Sequence, residues 1–249
     1  MCATCFIHPQ NQTPTWSWHV ELSSVPIDFG ENGFAWLRGA LSADQCAALK
    51  FTLLDFAVAA GRGGVRQIHQ KSETIQELAL QGELAILAQN LLQEPIHLVR
   101  SIFFDKTPQQ NWLVSWHQDL TVTAAETFSA EGWGPWSRKE NIIHVQPPLE
   151  VLQSMLTMRL HLDRATKQNG CLKVIPRSHL GGIVRSELSA KEVNAVFCEA
   201  EVGDILLMSP LLWHASSKAI EASSRQVLHF EYSNHRCATD LAWPALEIA

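Results

Sequence analysis

The sequence contains a single tyrosine, no basic run longer than two residues and no apolar stretch approaching the ~18 residues of a membrane-spanning helix. A formal net charge of -6 over 249 residues leaves no excess of positive charge with which to hold a phosphodiester backbone, so nucleic acid is not an expected partner. No membrane partner is expected either. The six cysteines (Cys2, Cys5, Cys46, Cys171, Cys198 and Cys237) are too dispersed for the disulfide framework of a small secreted scaffold, and they read as reduced thiols. Cys2 and Cys5 have redox or zinc spacing, but no second pair accompanies them, and the N-terminus reads as a mobile end. The first thirty residues lack the basic and apolar regions of a signal peptide, so the expected location is cytoplasmic. Internal repeats, low-complexity tracts and Gly/Ser-rich linkers are also missing. One domain over 1–249 is the economical reading.

Present in excess are eleven histidines and nine tryptophans, in a chain whose 46% hydrophobic and 18% charged residues are ordinary for a packed globular protein. Such a number of histidines raises the question of a metal. Ser42 is placed to cap a helix over about 43–60, with Cys46, Leu49, Leu53 and Phe56 on one face and Gly61 to stop it. Further helical stretches fall near 73–81 and 83–93. After Pro95 the texture changes to short apolar or alternating runs, Ile96 to Phe104, Leu113 to Trp116, Leu156 to Leu162, Leu172 to Ile175, Ile205 to Met208 and Val227 to Tyr232. The expectation is mainly β with flanking helices: residues 1–94 as mainly helical support and 95–249 as an all-β core. Residues 105–153 interrupt that core with little periodicity, four tryptophans, and Gly132, Gly134 and Pro135, which reads as an irregular insertion of the lid or binding-loop kind.

Trp116-His117-Gln118-Asp119 ends one of these runs, and in a strand residues two apart share one side of the pleat, so His117 and Asp119 can reach one ion. Fe(II) in a facial arrangement needs two imidazoles and a carboxylate. His214, beyond the turn Val202-Gly203-Asp204 and the run Ile205 to Met208, is the best third ligand. His161-Leu162-Asp163 has the same spacing as the first pair and competes with it. His179 and His229 are further histidines, read as supporting or core groups. Arg225, eleven positions after His214, can return beside the ion to grip a carboxylate, and Ser216 can add a hydroxyl.

Taken in order, Trp116 to Leu120, Asn169 to His179, and Gly203 to Met208 with His214, Ser216 and Arg225 resemble the phytanoyl-CoA dioxygenase family of Fe(II)- and 2-oxoglutarate-dependent oxygenases, over roughly residues 95–235. The resemblance implies a double-stranded β-helix, the cupin-like jelly roll, with helices packed on one sheet. It implies that His117, Asp119 and His214 bind iron, and that Arg225 with Ser216 holds the far carboxylate of 2-oxoglutarate. It also places His161 and Asp163 on scaffold or cosubstrate-lining positions. Arg159 stands where family members often carry a tryptophan that touches the cosubstrate, so it is expected to contact 2-oxoglutarate or an anionic substrate. Arg177 replaces the usual glycine of a Pro-Gly-Ser-His turn.

The implied reaction is hydroxylation of an unactivated C–H bond in a small organic molecule, with O2 consumed and 2-oxoglutarate converted to succinate and CO2. With Asp119 present, the coordination position that related halogenases open for chloride is filled. Desaturation or cyclisation would use the same ligands, and a jelly roll that binds metal and ligand without turnover is a reading of another class. Trp112, Trp133 and Trp136 with Arg159 suggest an aromatic pocket with a cationic anchor, suited to a small organic acid, amino acid or terpenoid-like carboxylate.

Overall fold

The computed structural model describes residues 28–59, 64–93, 95–185, 194–220 and 223–235. In chain order the first part holds α1 (Asp28–Asn32), β1 (Phe34–Leu37), α2 (Ala43–Thr52), α3 (Leu54–Ala59), β2 (Val65–Arg66), α4 (Glu73–Leu80) and α5 (Glu83–Leu92). The second part holds β3 (His97–Lys106), β4 (Val114–His117), β5 (Val122–Ala124), β6 (Trp136–Lys139), β7 (Ile142–Val145), α6 (Leu149–Gln153), β8 (Met155–His161), β9 (Leu172–Val174), β10 (Val196–Cys198), β11 (Ile205–Met208), β12 (His214–Ser216) and β13 (Arg225–Ser233). No helix among the described residues is long and apolar enough to cross a membrane.

The strands form a six-stranded antiparallel sheet in the order β1-β11-β8-β13-β3-β2, a four-stranded sheet β10-β9-β12-β4 and a three-stranded sheet β5-β7-β6. The first two make the expected jelly roll, and residues of both line one cavity. Alternation along the long strands sets the layers. On the outer face Leu156, Met158 and Leu160 of β8, Leu228 and Phe230 of β13 and Phe103 of β3 pack with Leu49 of α2, Leu78 of α4 and Leu84 of α5. The one tyrosine, Tyr232, is fully buried there, and its hydroxyl donates to the Ala79 carbonyl at 3.0 Å. Between the sheets, Leu172, Val174, Leu206, Met208 and Leu212 form a smaller apolar cluster.

The helix that starts at Ser42 has the capping box the sequence offers: the Gln45 N–H donates to Ser42 Oγ (3.2 Å), and the Ser42 N–H donates to Gln45 Oε1 (2.8 Å). It does not run unbroken through residue 59. The Thr52 hydroxyl donates to the Ala48 carbonyl (3.2 Å), a back-bond that bends helices, and the chain restarts as α3 after the fully buried Leu53. Gly61 lies outside the described residues, as do Cys2, Cys5 and Cys237. Cys46, Cys171 and Cys198 are buried free thiols.

Two features differ from the sequence reading. The segment read as helical support also supplies β1 and β2, which extend the large sheet at both edges. The stretch read as irregular contains the three-stranded sheet. Its β6–β7 hairpin turns at Glu140 (φ 51°) and Asn141 (φ 64°), the left-handed pair that a two-residue hairpin needs, here without glycine. Runs of three and four residues are too short to show a period of two.

Candidate metal centre

His117 and His214 face each other across the β4–β12 pairing in direct register, with ring centroids 4.1 Å apart. Each ring is fixed by the carbonyl two residues before it: His117 Nδ1 lies 2.8 Å from the Ser115 carbonyl and His214 Nδ1 lies 2.8 Å from that of Leu212. A carbonyl only accepts, so both Nδ1 atoms carry the proton and both Nε2 lone pairs are free for an ion. Asp119 completes the set, its two oxygens 3.6 Å and 3.5 Å from those Nε2 atoms. These separations exceed a hydrogen bond and are near the roughly 3 Å that neighbouring ligands span when bonds to one ion are ~2.1 Å. All three donor atoms lie within 4.8 Å of one another.

The pleat argument for Asp119 does not hold in detail, because β4 ends at His117. Asp119 is positioned instead by its own N–H, which donates to the Pro210 carbonyl at 2.8 Å and ties it to the approach to His214. Burial alone would raise its carboxyl, but His214, His117, Arg100 and His229 together hold it well below the usual carboxylate range. Burial pushes His214 down to about 4, against the pull of Asp119, so its imidazole is neutral and available as a ligand near neutral pH.

The inner face of the six-stranded sheet carries the polar floor of the cavity. Strand register puts Arg66, Ile102, His229 and Arg159 in one row across β2, β3, β13 and β8. Arg100 and Glu231 form the row on one side, Phe104, Val227 and His161 the row on the other, and Lys106 with Arg225 the row beyond. Arg100 Nη2 reaches both Glu231 oxygens at 2.7 Å and the Thr121 carbonyl at 2.9 Å. His229 links the rows: Arg159 Nη1 donates to its Nδ1 (2.9 Å), so its Nε2 carries the proton and donates to Glu231 Oε1 (2.8 Å). Among the described residues Arg159 meets no carboxylate, although it is only 8% exposed and its Nε is buried without a partner.

At the far end, Arg225 is buried with Nε unpartnered, and its Nη2 and Lys106 Nζ approach Ser216 Oγ at 3.5 Å and 3.4 Å. Ser216 donates its proton to the Gly170 carbonyl at 2.9 Å, which holds its oxygen toward both cations. Burial and the neighbouring Arg225 push the Lys106 ammonium down to about 8. Asn169 closes the preceding turn, accepting from the Thr166 N–H and donating to the Arg164 carbonyl, both at 2.8 Å. Gly170 is required there: φ is +73°, and an added Cβ would stand 2.3 Å from the Ser217 carbonyl oxygen and 3.2 Å from Lys106 Nζ.

The cavity measures about 450 Å³ and is lined by His117, Asp119, His214, Ser216, Arg225, Arg159 and Trp112 among others. Trp133 and Trp136 are not brought to it. Both rings pack edge-on against Phe128 at 5.0 Å, in an apolar cluster with Val122, Val145 and Leu152. The competing pair separates as well. His161 is fully buried, tilted against the Trp36 ring at 5.7 Å and pushed down to about 3 by burial, whereas Asp163 turns away to Lys50 and to the Gln226 N–H (3.0 Å). His179 is tied to the Gly30 carbonyl at 3.2 Å. Residues the sequence reading passed over are Arg100, Lys106 and Glu231, with Arg66, Lys139 and His144 of the cavity wall. A partial signal was present in β13, where Arg225, His229 and Glu231 fall on one parity and Leu228, Phe230 and Tyr232 on the other; β3 carries polar residues on both parities, Arg100 and Lys106 on one, Ser101 and Asp105 on the other.

A jelly roll that brings two imidazoles with free Nε2 atoms and one carboxylate to the mouth of a cationic cavity has the ligand set of a non-haem iron oxygenase. The chain belongs to the phytanoyl-CoA dioxygenase (PhyH) family, whose model matches residues 29–227. A comparison with curated protein sequences finds no match. Among solved structures the chain is similar to EctD from S. alaskensis with 2-oxoglutarate and 5-hydroxyectoine: 20% identity, 88% of this chain and 84% of that one, TM-score 0.65. It is also similar to the non-heme alpha ketoglutarate dependent carbocyclase SnoK from nogalamycin biosynthesis (16%, 86% of each chain, 0.63). A third is HygX from Streptomyces hygroscopicus with iron bound (12%, 82% and 83%, 0.60). At these identities the likeness establishes the fold.

Proposed function

We propose that the protein is an Fe(II)- and 2-oxoglutarate-dependent oxygenase that hydroxylates an unactivated C–H bond of a small organic molecule. The observation that carries this reading is the convergence of two tautomer-fixed Nε2 atoms and Asp119 in a cavity that also holds a buried guanidinium without an anion. His117, Asp119 and His214 would hold the iron. Bound iron and 2-oxoglutarate supply the oxidising chemistry, in which O2 is consumed and the cosubstrate leaves as succinate and CO2. The protein's part is geometry, water exclusion and substrate orientation.

Arg225 and Lys106 provide charge for the far carboxylate of 2-oxoglutarate, with Ser216 holding Arg225 in place. Arg159 stands beside His229, whose imidazole comes within 4.8 Å of the Asp119 carboxylate, and supplies a cation close to the ion. Of the solved neighbours, one binds 2-oxoglutarate with 5-hydroxyectoine and another is a carbocyclase. Hydroxylation is favoured over halogenation because Asp119 keeps the carboxylate position filled, whereas desaturation or cyclisation would use the same ligands; the fold alone does not select the outcome.

Anaerobic addition of Fe(II) and 2-oxoglutarate is expected to give a visible charge-transfer band that bleaches on admitting O2, with succinate formed. Asp119→Ala should make no succinate while staying folded. Near-wild-type succinate from that variant would overturn the assignment. Arg225→Ala should raise the 2-oxoglutarate requirement about 10–100-fold, the loss of one buried charge-assisted contact, with iron affinity little changed. An unchanged cosubstrate affinity would remove Arg225 from the site.

A further inference from the structure

We infer that the primary substrate carries an oxyanion, a carboxylate or phosphate, which is seated away from the iron on the wall formed by Lys139, His144 and Arg66. The inference deepens the proposed function and rests on it. Three observations support it, and the residues that form the seat are not iron ligands.

The first is the charge of the cavity. Arg66, Arg100, Lys106, Lys139, Arg159 and Arg225 line it against two carboxylates, Asp119 and Glu231. A divalent ion and a doubly negative cosubstrate cancel, so the loaded cavity keeps four excess positive charges. Glu140, whose carboxylate meets Arg66 at 2.5 Å, removes one and leaves three. This sits in a chain whose formal net charge is -6, so the sign is local to the site.

The second is which face of the three-stranded sheet looks inward. Register pairs Ser137 with His144, His144 with Thr123, and Lys139 with Ile142, so Lys139 and His144 share one face. Trp136, Val145 and Val122 occupy the other and pack into the apolar cluster behind. The sheet thus presents a cation and an imidazole to the cavity and hides its tryptophan.

The third is an unmet donor. His144 lines the cavity and is 2% exposed, yet neither ring nitrogen has a hydrogen-bond partner among the described residues. A buried imidazole left so is uncommon and destabilising. Burial, then Arg100, Lys139 and Arg66, push it down to about 4, so the ring is neutral and offers one N–H. An N–H flanked by cations is a fitting receptor for an oxyanion. Among the described residues Lys139 has no ion-pair partner, and Arg66 has only the exposed Glu140.

The test is calorimetric titration of the anaerobic protein, loaded with Fe(II) and saturating 2-oxoglutarate, with benzoate, phenyl phosphate and the neutral isostere benzamide. At least one oxyanion should bind about tenfold or more tightly than benzamide, and the tighter of the two identifies the acid class. Lys139→Gln should weaken that oxyanion about 3–10-fold, as expected for an exposed charge that lines the cavity. Arg164→Gln removes the same charge outside the cavity and should change nothing. His144→Gln, checked by thermal melting, should also weaken the oxyanion while leaving benzamide unaffected. Equal binding of benzamide, no binding of either oxyanion, or the same affinities in Lys139→Gln as in wild type would each overturn the seat. Failure of the charge-transfer band to form before any probe is added would instead overturn the iron and 2-oxoglutarate reading, and this proposal with it.

Discussion

The two faces of the six-stranded sheet are made by alternate residues of the same strands, yet they obey opposite rules. Outward, Leu156, Met158, Leu160, Leu228 and Phe230 meet the helices in an apolar layer. Inward, Thr157, Arg159, His161, His229 and Glu231 are just as buried but polar, and three guanidinium Nε atoms on this face, of Arg100, Arg159 and Arg225, lack partners. Burial on the first face stabilises the fold. On the second it strips water from charges and holds them ready for a ligand, at a cost to stability that a site can carry and a scaffold would not. The comparison makes predictions that differ in sign.

Phe230→Ala should have the largest effect. The ring is fully buried in the outer layer, and its removal should cost about 3–5 kcal/mol in denaturant unfolding, with turnover per folded molecule close to wild type. Loss of activity without loss of stability would mean the faces are not separable. Arg159→Leu should act in the opposite sense. Replacing a buried cation that has no anion by an apolar side chain should raise the stability of the ligand-free protein by about 1–3 kcal/mol, while succinate formation falls sharply. A destabilised Arg159→Leu would show that the His229 contact, not a ligand, is what the guanidinium is for.

How much of this was legible follows from the same alternation. The long strands and the capped helices were readable because ten- or nine-residue runs carry a long β-rich signal, which in β13 alternates over Val227 to Tyr232, and Ser42 with Gln45 is a local signal. The proposed iron ligands were readable as types and order, but the hold on Asp119 was not, because it is a single contact to Pro210, distant in sequence. Trp136 was misplaced because residue counts do not tell which face of a three- or four-residue strand turns inward. That depends on the β6–β7 register, which Glu140 and Asn141 fix.

The smallest effect is expected at a turn serving both sheets. Arg177 has φ 68° and ψ -3°, the left-handed conformation that the family's usual glycine adopts freely. The departure in sequence therefore leaves the turn geometry intact and is accommodated by strain in the backbone. The turn is held from several sides: the Arg177 N–H donates to the Asn32 carbonyl at 2.9 Å, and the neighbouring Ser178 Oγ accepts from the Trp213 N–H at 2.9 Å, one residue before the proposed iron ligand His214. Left-handed backbone costs a non-glycine residue about 1–2 kcal/mol, and the extra freedom of glycine in the unfolded chain returns about 0.4–1 kcal/mol of that. Arg177→Gly should therefore raise stability by about 0–1.6 kcal/mol in denaturant unfolding and leave iron affinity unchanged. A loss of stability would show that the Arg177 side chain makes up for the strain. A change in iron affinity would show that the turn sets the position of His214, and would move it from the stabilising region of the molecule to the chemical one.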